Sequence, residues 1–207
     1  MPKIDERVRL EIMTKYERPF WDRGILVAGM DEVGRGPLAG PVVAACVILP
    51  ADCLIEGVND SKKLSEKKRE RLYDEITKKA IAWSSGWVWQ DTIDEINILQ
   101  ATKKAFVQAY SSMKYPCDHV FIDAVKELDI PSKQYPIVHG DALCYSIAAA
   151  SIIAKVERDR YMVSMAKKHP QYGFEKNKGY GTKQHISALG EFGPCEIHRS
   201  TFIKNFI

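Results

Sequence analysis

Residues 25–49 read ILVAGMDEVGRGPLAGPVVAACVIL, and the placing of apolar, acidic and glycine residues in this stretch decides the fold class. The run 25–30 is apolar and stops against Asp31 and Glu32, while 41–49 is a second apolar run rich in β-branched residues. Apolar runs this short, bounded by Gly and Pro, read as buried strands. The glycine-rich VGRGPLAG between them makes the pair a hairpin with a long connection. A dinucleotide or phosphate loop is a poor fit, because such a loop must open a helix and this one opens onto another strand pattern.

Working outward, Ser65 is placed to cap a helix over 66–79, with Leu72, Ile76 and Ala80 on the buried stripe. The bulky IAWSSGWVW (81–89) suits a strand. Leu99, Ala105, Phe106 and Ala109 carry a helical period over 98–113, and HVFID (119–123) and YPIV (135–138) read as two more strands. From Asp141 the chain runs long without Gly or Pro, and IAAASIIA at its centre is apolar all round, as in a buried helix packed closely on a sheet. The order predicts an α/β fold, a mixed sheet with an antiparallel start and helices on its faces, followed by a small C-terminal helical region. With no repeat, low-complexity tract or linker, one domain is expected over 1–207, its core at about 25–170 and its helical part at about 171–207.

The 207 residues are 45% hydrophobic, enough for a substantial core. The charged opening MPKIDERVRLEIMTKYERPFWDRG offers neither a signal peptide nor a spanning helix, so a cytoplasmic protein off the membrane is expected. Five cysteines, odd in number and without a CxxC pair, argue for reduced thiols. The histidines are scattered with no pair on one helical turn, so no zinc site is expected. The net charge of +3 says little, but 155–204 holds ten Lys or Arg against five Asp or Glu, and 62–71 is also basic. Two basic stretches around an acidic centre would suit a polyanion, although a solvated helix face explains either one alone.

Four acids carry the candidate chemistry. Asp31 and Glu32 follow the first strand, Asp123 ends another, and Asp141 enters the long helix. Neighbouring strand ends converge, so acids distant in sequence can share a site, and clustered carboxylates repel unless a hard cation such as Mg²⁺ or Mn²⁺ relieves them. Singly, each acid is as well explained as a turn former or helix cap. Adjacent strand residues also face opposite ways, so the glycine turn is expected to bend the backbone at Asp31 and Glu32.

The motifs MDEVGRGPLAGPV, NDSKKLS, INILQATKKAF, SIAAASIIAKVERD, NKGYGT and IHRSTF occur in that order, and from about Ala28 onward the chain resembles the bacterial ribonuclease HII family. The resemblance implies a ribonuclease H-like architecture. It further implies an endonuclease that hydrolyses the RNA strand of RNA:DNA hybrids and cuts 5′ of ribonucleotides embedded in DNA, leaving 3′-hydroxyl and 5′-phosphate ends. By the same resemblance, Asp31, Glu32, Asp123 and Asp141 are both catalytic and metal-binding, holding two Mg²⁺ or Mn²⁺ ions. The main chain of Gly34, Arg35 and Gly36 would sense the 2′-hydroxyl, Tyr180 would pack on the next sugar, and Lys62, Lys63 and Lys183 would meet phosphates. His139 and Cys144 depart from positions where lysine is common in the family. A monomer with no obligate protein partner is expected. The competing readings are a non-catalytic duplex-binding protein and another nuclease on the same scaffold, such as a junction resolvase. The apolar ending TFIKNFI reads as a tail that docks back onto the domain.

Overall fold

The computed structural model describes residues 4–207. Two short helices, α1 (Glu6–Met13) and α2 (Arg18–Trp21), precede strands β1 (Ala28–Val33) and β2 (Val42–Ile48). Then come α3 (Glu66–Lys79), β3 (Ala82–Val88), α4 (Gln90–Ser112), β4 (His119–Asp123) and β5 (Lys133–Ile137). The chain ends with α5 (Gly140–Leu143), α6 (Tyr145–Lys168), α7 (Phe174–Asn177), α8 (Lys183–Phe192) and α9 (Ser200–Ile203). Among the described residues the sheet has five strands in the order β3-β2-β1-β4-β5. β1, β2 and β3 pair antiparallel, whereas β4 lies parallel to β1 and β5 parallel to β4.

β2 sits inside the sheet with both faces covered, which is why PVVAACVIL is a continuous apolar run rather than an alternating one. Ala45 and Val47 point into the layer under α1, α3 and α6, and Val42, Ala44, Cys46 and Ile48 into the layer under α4. α6 explains its own composition. A Cβ at Gly29 of β1 would stand 2.1 Å from the Ser146 carbonyl carbon, so helix and sheet meet backbone to backbone. Only small residues on both sides allow that approach.

Ser65 does cap α3, accepting from the Lys68 N–H, and Leu72 and Ile76 are buried, but Ala80 falls in extended backbone just past the helix. Helix α4 begins earlier than its period suggests. Asn97, at φ +66°, breaks it into two pieces, and its Oδ1 accepts from Leu99 and Gln100 N–H, capping the second. Leu99 therefore lies off the buried stripe and is exposed, while Ala101, Ala105, Phe106 and Ala109 line it. The stretch from Asp141 is not one helix either. Cys144 adopts extended backbone between α5 and α6, so Asp141 sits in the first turn of a separate short helix.

The C-terminal helices pack on the far end of α6 around Leu38, Met162, Tyr172, Phe174 and Leu189. In the tail, Ile203 is buried, but Phe206 and Ile207 are exposed, so only its first part docks back. No helix of the described residues is long and apolar enough to cross a membrane.

Replacing Gly29 by Ala should push α6 off the sheet, lowering stability by about 1–3 kcal/mol. An unchanged urea midpoint and slope for that variant would contradict the backbone contact.

Candidate active site

The β1–β4 ladder stops at Met30 opposite Ile122. One further step would set Asp31 beside Asp123, yet there the ladder is open on the β4 side while β1 continues pairing with β2 through Val33. Asp31 and Glu32 thus belong to the strand itself, not to the turn after it. The bend comes later, at Gly34 (φ +93°), where a Cβ would collide with the Arg158 side chain and the Pro41 carbonyl. Strand parity puts Asp31 and Asp123 on the α6 side. Glu32 has the opposite parity but lies at the open edge, where its Oε1 receives Arg35 Nη1 at 3.3 Å.

All four acids share one electrostatic environment. Burial raises the Asp31 carboxyl well above its ordinary value, and Glu32, Asp123 and Asp141 push it in the same direction. Glu32 is raised by burial and by Asp123, against the opposing charge of Arg35. Asp123 is raised by burial and by Asp141, although the Gly140 N–H donates to its Oδ1 at 2.7 Å. Oε2 of Glu32 is buried without a hydrogen-bond partner among the described residues. Lys62 Nζ reaches Asp141 Oδ2 at 3.0 Å, delivered by the short turn 61–63 that Asp60 caps. A buried, mutually repelling set of hard oxygen donors with an unsatisfied oxygen fits divalent cations of the Mg²⁺ or Mn²⁺ type.

The glycine turn and the tyrosine loop meet beside the acids. A Cβ on Gly36 would touch nothing nearer than Tyr180 Cε1, at 3.9 Å, so the space before this turn is open. Tyr180 itself is half exposed, and the Leu38 N–H donates to the Gly179 carbonyl at 2.8 Å. Lys63 and Lys183 are exposed and form no side-chain hydrogen bond or ion pair among the described residues. Cys144 does not face this space: it is buried, and its Sγ donates to Glu17 Oε1, which also accepts from the Ser146 N–H at the start of α6. His139 holds a left-handed conformation just before α5.

Sequence reasoning gave no role to the two residues that hold these loops. Arg199, fully buried, donates from Nη2 to the Gly34 and Gly40 carbonyls, from Nη1 to Arg35 and from Nε to Gly40. Arg158, also fully buried, donates to the carbonyls of Pro41, Lys178 and Ala39. Burial pulls the guanidiniums down to about 10 for Arg158 and about 9 for Arg199, both still charged at neutral pH. In a trans peptide the C=O and following N–H point oppositely. With the Gly34 and Arg35 carbonyls turned inward to Arg199, the N–H groups of Arg35 and Gly36 face outward, and neither meets an acceptor among the described residues. Nothing local marks them as buried: Arg158 stands among Glu157, Asp159 and Arg160, and Arg199 follows His198 in IHRSTF.

A pair of histidines steadies the tyrosine loop. His185 Nδ1 contacts the Tyr180 carbonyl at 3.0 Å, so that nitrogen carries the proton and Nε2 accepts. His198 Nε2 lies 2.9 Å from His185 Nε2 and must donate, and its Nδ1 accepts from the Cys195 N–H at 2.9 Å. Both rings are neutral in this arrangement, and burial followed by His185 lowers His198 to about 4.

A model of the family described as Ribonuclease HII matches residues 28–205. The chain belongs to the ribonuclease HII family. It is therefore a ribonuclease H, an endonucleolytic hydrolase of a family that depends on divalent metal. It is 58% identical to ribonuclease HII of Acetivibrio thermocellus over 94% of this chain and 77% of that one. With Bacillus subtilis ribonuclease HII it shares 54% identity over 92% of this chain and 74% of the relative. The crystal structure of ribonuclease H2 from Pyrococcus horikoshii superposes with a TM-score of 0.73 at 26% identity, covering 86% of this chain and 93% of that one. The ribonuclease H-like fold expected from the motifs is thus observed, and a non-catalytic reading is set aside.

Two outcomes test this electrostatics. The raised Asp31 carboxyl opposes folding once ionised, a penalty absent below its unfolded value of about 3.9 and growing as pH rises. In chelator at neutral pH, Asp31→Asn should therefore melt several degrees higher than the parent, with the gap closing in acid or on adding Mn²⁺; equal melting at neutral pH would contradict it. The lowered His198 acts in the opposite sense: its contribution is complete above about 6.5 and fades as pH falls toward 4. Urea midpoints across that range should fall more steeply for the parent than for His198→Asn.

Proposed function

We propose that this ribonuclease HII hydrolyses the RNA strand of RNA:DNA hybrids and nicks duplex DNA on the 5′ side of an embedded ribonucleotide, leaving 3′-hydroxyl and 5′-phosphate ends. The observation that carries this reading is the adjacency of two devices: four mutually repelling carboxylates, and an outward-facing main-chain turn set against Tyr180.

Asp31, Glu32, Asp123 and Asp141 are the proposed metal ligands and catalytic acids, for Mg²⁺ or Mn²⁺. When bound, two such ions supply Lewis acidity to the attacking water and to the leaving 3′-oxygen. The chain's own residues do the selecting and positioning. The free N–H groups of Arg35 and Gly36, presented by the bend at Gly34 and the open backbone of Gly36, offer donors to a ribose 2′-hydroxyl, the atom that separates RNA from DNA. Tyr180, presented on the same side, packs on the neighbouring sugar and fixes the register of the strand. Lys62, already at the acids through Asp141, is poised to trade that partner for a phosphate, and Lys63 and Lys183 extend the cationic lining. No covalent nucleophile is required, which agrees with four acids and no Ser-His-Asp arrangement at the site.

The test is a labelled DNA duplex carrying one ribonucleotide, incubated with and without chelator, with the cut mapped. Cleavage on the 5′ side, lost in chelator, is expected, and Asp31→Asn should reduce it at least about 1000-fold while leaving binding of the duplex intact. Tyr180→Ala should slow cutting at the single ribonucleotide without changing the melting temperature. Turnover by Asp31→Asn within a few fold of the parent, or an unaffected Tyr180→Ala, would remove those residues from their assigned roles.

A further inference from the structure

Beyond the acidic cluster, ligands of a different chemical kind meet in the C-terminal layer. His169 ends α6, and Cys195 and Glu196 lie in the turn before α9. Among the described residues this is the one group of three His, Cys, Asp or Glu side chains whose ligand atoms all lie within 4.8 Å of one another. We propose that His169, Cys195 and Glu196 form a second metal site, for one borderline-soft divalent ion of the Zn²⁺ class.

Imidazole, thiolate and carboxylate together are a zinc donor set, in contrast to the all-carboxylate site that suits Mg²⁺ or Mn²⁺. Tetrahedral bonds of about 2.0–2.3 Å hold donors roughly 3.3–3.8 Å apart, so closing the site needs shifts on the order of 1 Å. His169 Nε2 and Glu196 Oε1 are already 2.8 Å apart in a hydrogen bond, and an ion would take the place of the proton between them. The Cys195 Sγ meets His198 Nδ1 at 3.2 Å, but that nitrogen also accepts from the Cys195 N–H, so the thiol can turn to an ion without leaving it unsatisfied. His169 and Cys195 are half-buried and Glu196 exposed, which leaves a fourth position for water.

The proton balance is simple. Binding one divalent ion releases the Cys195 thiol proton to solvent, and the His169 proton passes from Nε2 to Nδ1 or to solvent, with no change of oxidation state. An ion there would fasten the end of α6 to the turn that carries His198 and Arg199. That turn supports both the tyrosine loop and the glycine turn, so the staple would stiffen the layer behind the substrate side. Histidine spacing along the chain hides this site, because the ligands come from two segments that only the fold brings together.

The experiment is a Co²⁺ titration of the full chain bearing Asp31→Asn and Asp141→Asn, which disables the acidic cluster. One Co²⁺ per chain should bind, with a thiolate-to-cobalt charge-transfer band and the strong visible bands of four-coordination. One equivalent of Zn²⁺ should displace it, whereas a large excess of Mg²⁺ should not. Adding Cys195→Ser should abolish the charge-transfer band, and adding His169→Ala or Glu196→Gln should weaken binding at least about tenfold. Weak six-coordinate bands alone, or a thiolate band that survives Cys195→Ser, would overturn the proposal. Should Cys195→Ser fail to fold, unchanged titrations of both other variants would overturn it equally.

Discussion

Carboxylates forced together in a place that water barely reaches are the constraint on which this structure turns. Ionised side chains with the charge of Asp31, Glu32 and Asp123 would separate if the backbone permitted. Here the backbone does not permit it, because β1 and β4 are fixed by their ladder up to the residue before the acids and α5 is pinned to Asp123 through the Gly140 N–H. The protein thus holds a concentrated negative charge that bound divalent cations would discharge. Lys62 offsets only part of that charge, and from one side.

The complementary device uses positive charge differently. Among the described residues Arg158 and Arg199 have no carboxylate at their guanidinium nitrogens, and their hydrogen bonds go to main-chain carbonyls of the two loops. A buried cation demands that its donors be met, and here the demand is met by carbonyls whose opposite faces must then look outward. Arg199 therefore sets the direction of the turn at Gly34–Gly36, for which the glycines supply only the freedom, and Arg158 ties the segment after it to the tyrosine loop. The histidine pair adds a direction of its own, since its tautomers follow one from the next, ending on the Tyr180 carbonyl.

How much of this is legible in the sequence depends on the range of the interaction. β2, α3 and β4 follow from local patterns, and Ser65 announces its helix because capping is a short-range hydrogen bond. The acids are recognisable because an apolar run that stops on Asp31 or Asp123 is conspicuous, and the ordered motifs tie them together. The strand limits around Glu32 are not legible: pairing with β2 across the hairpin carries the strand past the acids, where the apolar run of β1 has already stopped. The breaks at Asn97 and Cys144 escape a periodicity argument because neither is Gly or Pro. Arg158, Arg199, Glu17 and His198 carry roles that exist only across the fold, so their positions in the chain say nothing of their partners.

The contact between Gly29 and Ser146 has a mechanical consequence. Asp31 lies two residues beyond one side of that contact and Asp141 a short helix before the other, and at that point no glycine side chain cushions the sheet against α6. Main chain pressed on main chain is the least compressible junction a protein interior offers. The gap between the acids on the two elements is in this way gauged by a rigid shim, while the glycine turn and the tyrosine loop hang from hydrogen bonds that can lengthen and recover. Stiffness is placed where the carboxylates are spaced, and give is placed in the open loops beside them.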